Sequence, residues 1–224
     1  MKLILFGSTG MIGQGVLREC LADTRIETIL VVNRKSCGIN HKKLKELIQP
    51  NFDDLSEITK VLSGYDACFY CLGITSAGRS EAEYYKNTFE LTTTIAEMVL
   101  TLNKNLIFCY ISGAGTDSSE KGKTMWARVK GKTENYLLAM PFKAVYMFRP
   151  GFIQPMNGIK SRTPLYNFTY SLFKPFYFIL KHFDGIVTST QTLGKSLINA
   201  AILGYHTSVI GSKDINQLGN KSLT

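Results

Sequence analysis

Gly7-Ser-Thr-Gly10-Met-Ile-Gly13 sets three glycines three residues apart, directly after the apolar run Leu3-Ile-Leu-Phe6. Glycine lets a main chain come into contact with a pyrophosphate, because any side chain would stand between the two. The residues that follow, Ile12, Val16, Leu17, Cys20 and Leu21, recur on one face of a helix. A phosphate set against the first turn of that helix meets free N–H groups and the positive end of the helix dipole. The spacing therefore predicts a phosphate-binding turn between a strand and a helix, with Gly7, Ser8, Thr9, Gly10, Met11 and Ile12 around the phosphates. A second apolar run, Ile29-Leu-Val-Val32, ends in Asn33-Arg34, about where dinucleotide-binding domains place their ribose selector. An acidic residue there would bind the ribose hydroxyls of NAD and repel a 2′-phosphate, whereas Arg34 can pair with that phosphate, so NADP is expected in preference to NAD.

These residues need elements to hold them. Apolar runs at 2–7, 27–33, 66–72, 105–111 and 143–148 are separated mostly by segments of helical period, a pattern that predicts an α/β fold, a doubly wound parallel sheet with helices on both faces. Ligands of such sheets sit beyond the carboxyl ends of the strands. Asn51-Phe52 falls where the chain should pass an adenine, Cys71-Leu72-Gly73 closes the 66–72 run, and Ser112-Gly-Ala-Gly115 closes the next. Asp54 with Glu57, and Ser80 with Glu83, have the spacing of reciprocal helix caps.

At 224 residues the chain fits one domain with a well-buried core, and 45% hydrophobic with 19% charged residues is a globular composition. The net charge of +9 suits anionic ligands, but the lysines are dispersed and no zinc-finger or RNA-binding signature accompanies them, so nucleic acid is not expected as a specific partner. No apolar stretch reaches the roughly 20 residues that span a bilayer, and the short run at the start is interrupted by glycine well before a signal-peptide core would end. A cytoplasmic protein with reduced thiols is the expectation. Cys68 and Cys71 have redox spacing but lie in one strand, where residues three apart face opposite ways. His41, His182 and His206 are scattered, and no metal is expected.

Residues 165–183 are rich in aromatics. Leu165, Phe168, Leu172, Phe176, Ile179 and Phe183 form one stripe at helical spacing, Tyr166, Tyr170, Phe173 and Tyr177 a second, and Lys174-Pro175 should kink or divide the helix. Coverage this broad implies contact on more than one side. Packing on the body or on a second copy, a lid over an apolar substrate, and a helix on a membrane surface all remain open.

Met125-Trp-Ala-Arg-Val-Lys130-Gly-Lys-Thr-Glu134 begins a long helix. With Tyr65-Asp-Ala-Cys-Phe-Tyr-Cys-Leu-Gly73, Ile111-Ser-Gly-Ala-Gly115, Phe148-Arg-Pro-Gly151 and the glycine-rich turn, it resembles the atypical or extended short-chain dehydrogenase/reductase superfamily. More narrowly, the chain is similar to nucleoside-diphosphate-sugar-epimerase-like proteins related to Tat-interacting oxidoreductases. The resemblance covers about residues 1–155 and implies a Rossmann domain there, with 156–224 a C-terminal helical segment packed on it for substrate or interaction. It adds Pro150, Gly151 and Ile153 to the cofactor contacts. The family's reductive chemistry uses a serine that polarises a carbonyl, a tyrosine that donates the proton, and a lysine four residues later that binds the nicotinamide ribose and lowers the tyrosine pKa. Ser112 and Lys130 match the first and last, but Trp126 stands at the tyrosine's position. An indole N–H donates a hydrogen bond yet is no acid near neutral pH. The resemblance thus implies an NADP(H)-dependent oxidoreductase or epimerase-like enzyme whose proton comes from elsewhere, Tyr166, Tyr170 or a water on Ser112. The alternative it leaves is a non-catalytic, NADP(H)-binding regulatory or scaffold protein.

Overall fold

Leu3 and Leu5 pack into one apolar cluster and Ile4 and Phe6 into another, all four without solvent exposure. A strand buried on both faces belongs in the middle of a sheet covered on both sides. The computed structural model describes residues 1–59, 61–159 and 185–221; the aromatic stretch 165–183, with Tyr166 and Tyr170, lies outside the described residues. In chain order the elements are β1 (Lys2–Phe6), α1 (Met11–Ala22), β2 (Thr28–Asn33), β3 (Leu44–Ile48), α2 (Ser56–Thr59), β4 (Ala67–Tyr70), α3 (Glu81–Tyr85), a π-helical turn (Lys86–Glu90), α4 (Leu91–Leu102), β5 (Ile107–Ile111), α5 (Met125–Ala139), β6 (Ala144–Arg149), β7 (Phe152–Gln154), β8 (Val187–Ser189), α6 (Thr190–Leu203), β9 (Val209–Gly211) and α7 (Ser212–Asn220).

Seven strands form one parallel sheet in the order β3-β2-β1-β4-β5-β6-β9. The chain winds outward from β1 to one edge and then from β4 to the other, so the order reverses between β1 and β4, and a crevice opens there beyond the strand ends. Phe6 is in register with both Val32 and Tyr70. The residues immediately beyond, Gly7, Asn33 and Cys71, therefore meet at one edge of the sheet. Side chains alternate between two layers, Ile29, Val31 and Phe69 in the one that holds Val16 and Leu197, Leu30, Val32 and Tyr70 in the one that holds Ile95 and Leu137.

The five expected strands form within a residue or two of their predicted limits. Four short ones among the described residues were not expected. β3 carries Lys45, Glu46 and a half-exposed Ile48 at the sheet edge, so it lacks the continuous apolar run of an inner strand. β7, within a stretch expected as loop, pairs with β8 in a separate two-stranded parallel ladder. β9 adds three residues to the main sheet beside β6. Of the two expected caps, Ser80 Oγ accepts from the Glu83 N–H at 3.2 Å, and Asp54 accepts from the Ser56 N–H at 3.0 Å beside a single helical turn.

Candidate functional site

The glycine-rich turn is built by contact as much as by torsion. Gly7 has φ +82°, which L side chains rarely adopt, and a Cβ there would stand 2.8 Å from the Cys71 carbonyl. A Cβ on Gly13 would stand 2.1 Å from the Gly7 oxygen, so α1 can approach the turn only if residue 13 is glycine. Gly10 is different, for its Cβ would meet nothing closer than 3.5 Å. The fold itself would therefore accept a methyl group at Gly10. The turn closes with Gly10 N–H donating to Gly7 O at 3.1 Å, and Gln14 Nε2 donates to Thr9 O at 3.1 Å. The glycines thus bring the turn hard against the end of β4 and the start of α1, the arrangement in which a pyrophosphate meets the N–H groups of a helix's first turn.

Ser8 and Asn33 tie that turn to the end of β2. The two are buried and exchange hydrogen bonds, Ser8 Oγ to Asn33 Oδ1 at 3.0 Å and Asn33 Nδ2 to Ser8 Oγ at 2.8 Å. Glu46, one strand over, accepts from Asn33 Nδ2 at 3.3 Å, Ser36 Oγ at 2.6 Å and the Cys37 N–H at 2.8 Å. Those bonds hold its carboxyl below its ordinary pKa against a desolvation that acts the other way. Sequence reasoning missed Glu46, because only the β2–β3 pairing, Val31 opposite Glu46, brings it to the site.

Two clefts flank Asn33. The smaller, 240 Å³, is lined by Arg34, Asn51, Phe52, Leu72 and Gly73, which gathers five expected cofactor residues around one space. Pro50, Asp53, Ile74, Lys86, Asn87 and Leu91 complete its wall. Lys86 and Asn87 come from the π-turn and Leu91 from the start of α4; such a turn's extra residue re-aims a helix face and often marks a functional position, and no periodicity in the sequence announced it. The larger cleft, 840 Å³, is lined by Ser8, Thr9, Lys35 and Ser36 on its upper part. Arg34 therefore lines the adenine side, and Lys35 is the cation beside Ser8 and Thr9. Met11 and Ile12 pack partly against the core, and Ile153 is 7% exposed within it, so any ligand contact by Ile153 runs through its main chain. Neither cleft is lined by Cys71, Pro150 or Gly151.

Across the sheet, at the end of β5, Lys130 donates to the carbonyls of Ile111 at 3.2 Å and Ser112 at 2.9 Å. Its Nζ lies 5.4 Å from the Tyr110 ring centroid. Burial lowers its pKa to about 8, against the attraction of Glu134 on the same helix. Two of its three protons are committed, leaving one N–H to give. Ser112 Oγ donates to Phe148 O at 3.1 Å, so only its lone pairs are left to offer until that hydroxyl rotates. Trp126 lies against the same loop, its ring 3.4 Å from where a Cβ on Gly115 would be. Tyr110, on β5, is buried, and desolvation pushes its hydroxyl well above the tyrosine range. It is no substitute for the missing acid.

A pH effect follows from Lys130. An unfolded lysine keeps its proton to about pH 10.4, whereas folded Lys130 releases it near 8. Between those values the unfolded state binds more protons, so this residue makes stability rise with pH there, and below pH 8 its burial cost is constant. Urea unfolding across that window should show the rise in the native chain relative to Lys130→Met; parallel profiles would refute it.

Lys130 is held by its own helix. Glu134, one turn on and without solvent exposure, receives Arg149 Nε at 3.0 and 3.1 Å and also Arg149 Nη2, while Ser118 Oγ accepts from Nη2 at 2.5 Å. The pair joins α5 to the end of β6. Gly131 fits because α5 passes so close to the 117–118 turn that a Cβ would meet the Asp117 oxygen at 1.8 Å. The Cys68 side chain packs in the α4 and α5 layer and Cys71 against the α1 layer; burial drives the Cys71 thiol up to about 12.

The family model described as NAD dependent epimerase/dehydratase matches residues 3–125. Protein FMP52, mitochondrial, of Meyerozyma guilliermondii is 25% identical over 155 residues, 68% of this chain and 65% of that protein. Protein HTATIP2 of Rattus norvegicus is 22% identical over 68% of this chain and 62% of its own length. The chain thus spans just under two thirds of the length of these relatives. Among solved structures, the Bordetella bronchiseptica enzyme WbmF in complex with NAD+ superimposes with TM-score 0.65 at 15% identity, covering 99% of this chain and 80% of that one, a likeness of fold.

Proposed function

The chain belongs to the NAD dependent epimerase/dehydratase family, and from that premise we propose that it binds NADP(H) at the ends of β1, β2 and β4 and acts as an oxidoreductase or epimerase-like enzyme on a small molecule. The tight turn from Gly7 to Gly13, which only glycine lets pack against the end of β4 and the first turn of α1, carries this reading. A nicotinamide dinucleotide bound there would supply a hydride donor or acceptor. The turn's N–H groups hold the pyrophosphate, Arg34, Asn51 and Phe52 the adenine end, and Lys35 with Ser36 and Thr9 the 2′-phosphate that favours NADP over NAD. Lys130 offers its third N–H to the nicotinamide ribose, and Ser112 orients the substrate oxygen. The reading keeps the cytoplasm as its compartment, supported by five cysteines of which none forms a disulfide, and among the described residues no helix is long and apolar enough to cross a membrane. Contact with a membrane or a second copy through residues 165–183 belongs to the same reading.

Trp126 is the chain's single tryptophan, so titration with NADPH and NADH can be followed by its quenching or by energy transfer to the nicotinamide. Tighter binding of NADPH is expected. Calorimetry that finds neither nucleotide bound overturns the assignment. Trp126 also favours a second reading, NADP(H) binding without turnover, because an indole cannot replace the phenolic acid. In a panel of carbonyls and alcohols, turnover by the native chain excludes that second reading, and turnover only by Trp126→Tyr establishes it.

A further inference from the structure

An ammonium taken out of water needs a compensating charge, which neutral carbonyls do not carry. Lys130 has only neutral acceptors, the carbonyls of Ile111 and Ser112 and the face of the Tyr110 ring. Among the described residues no carboxylate forms an ion pair with it. Tyr110 on β5, Tyr84 on α3 and Tyr70 on β4 are buried, and desolvation raises all three hydroxyls, so none supplies a negative charge near neutral pH. Other charges nearby are occupied elsewhere. Arg128 pairs with Glu81, Lys132 lies over the Tyr85 and Phe89 rings, and Glu97 of α4 accepts from Tyr136.

Two charges remain, Glu134 one turn on along α5 and Arg149 at the end of β6. Residues four apart on a helix have their Cβ atoms about 5–6 Å from each other, and Glu134, with a side chain 1% exposed, acts on Lys130 without a screen of solvent. Arg149 grips that carboxylate through Nε and Nη2. It therefore fixes Glu134 in place and opposes part of its field.

We propose that Glu134 is a positioning residue for Lys130, the group that keeps it an ammonium inside the protein, and that Arg149 sets how strongly Glu134 does so. For the cofactor this rests on the reading in which Lys130 gives an N–H to the nicotinamide ribose. Deprotonated, Lys130 keeps two N–H groups, the two that Ile111 and Ser112 take, and has none for the ribose. Cofactor affinity then depends on a carboxylate buried one helical turn away.

The test follows the CH2 next to Lys130 Nζ by NMR in the full chain labelled with 13C-lysine, without nucleotide, the signal being assigned by its loss in Lys130→Met. The native chain should titrate near pH 8. Glu134→Gln keeps the size and removes the charge, so it should lower that midpoint by about one pH unit or more, while Arg149→Leu leaves Glu134 unopposed and should raise it. A pair that served packing alone would give no such opposition, since either change would loosen α5, admit water and move Lys130 up toward an ordinary lysine. Midpoints that both rise, or that both stay, overturn the proposal. Glu134→Gln combined with Arg149→Leu leaves no buried charge unpaired and serves if the single variant does not fold. It should titrate below the native chain, and a midpoint at or above the native one overturns the proposal as well. NADPH affinity, read from Trp126 fluorescence over the same pH range, should fall as each protein passes its own midpoint. Midpoints that move as stated while NADPH affinity does not follow leave the role of Glu134 standing and remove only the Lys130 contact from the cofactor reading.

Discussion

Arg149→Leu should lower the thermal midpoint by about 10 °C. The change leaves Glu134 buried at 1% side-chain exposure with its partner gone, and breaking a buried pair by deleting one member costs about 3–5 kcal/mol. In a chain of this length each kcal/mol moves the midpoint by about 2–4 °C. The pair also fixes α5 against β6 while Lys130 sits one turn earlier on that helix, so the variant should lose NADPH affinity as well. Arg149→Leu with Glu134→Leu is the informative control, since a well-packed apolar pair of similar volume is often neutral or better. Differential scanning calorimetry of the three proteins decides the matter: a double variant as unstable as the single one would show that the ion pair contributes by more than mutual neutralisation.

Gly13→Ala should abolish dinucleotide binding and destabilise the fold, whereas Gly10→Ala should leave the fold intact and weaken binding alone. The contrast rests on two distances, 2.1 Å from a Cβ at 13 to the Gly7 oxygen and 3.5 Å from a Cβ at 10 to the same atom. The first is far inside contact and the atom met is main chain, so α1 or the turn must move; overpacking of that kind costs about 1–3 kcal/mol or more. The second is ordinary van der Waals contact. Chemical denaturation paired with NADPH titration separates them, and equal stability loss in the two variants would refute the assignment of roles.

The inner strands and the glycine-rich turn were legible because their determinants are local. A strand buried on both faces must be apolar throughout, as Leu3-Ile-Leu-Phe6 and Ile29-Leu-Val-Val32 are. Asn51, Phe52, Leu72 and Gly73, far apart in sequence, could be placed together because the sheet order brings strand ends together. Glu46, Lys86 and Asn87 were not legible, since each reaches the site through an edge pairing or a helical insertion that leaves no periodic trace. Arg34 and Lys35 are adjacent, and sequence spacing alone did not divide them between the two clefts.

The packing of α1 carries a consequence for synthesis. A Cβ on Gly15 would meet Thr190 at 2.6 Å, and one on Gly194 would meet Glu19 at 2.8 Å, so the first helix is covered by one made near the other end of the chain. At the usual 5–20 residues per second, the apolar face of α1 waits on the order of ten seconds or more after it leaves the ribosome before its cover exists. During that time the glycine turn has no fixed helix behind it. That face of α1 stays uncovered for this interval, and the dinucleotide site is among the last features of the molecule to become competent.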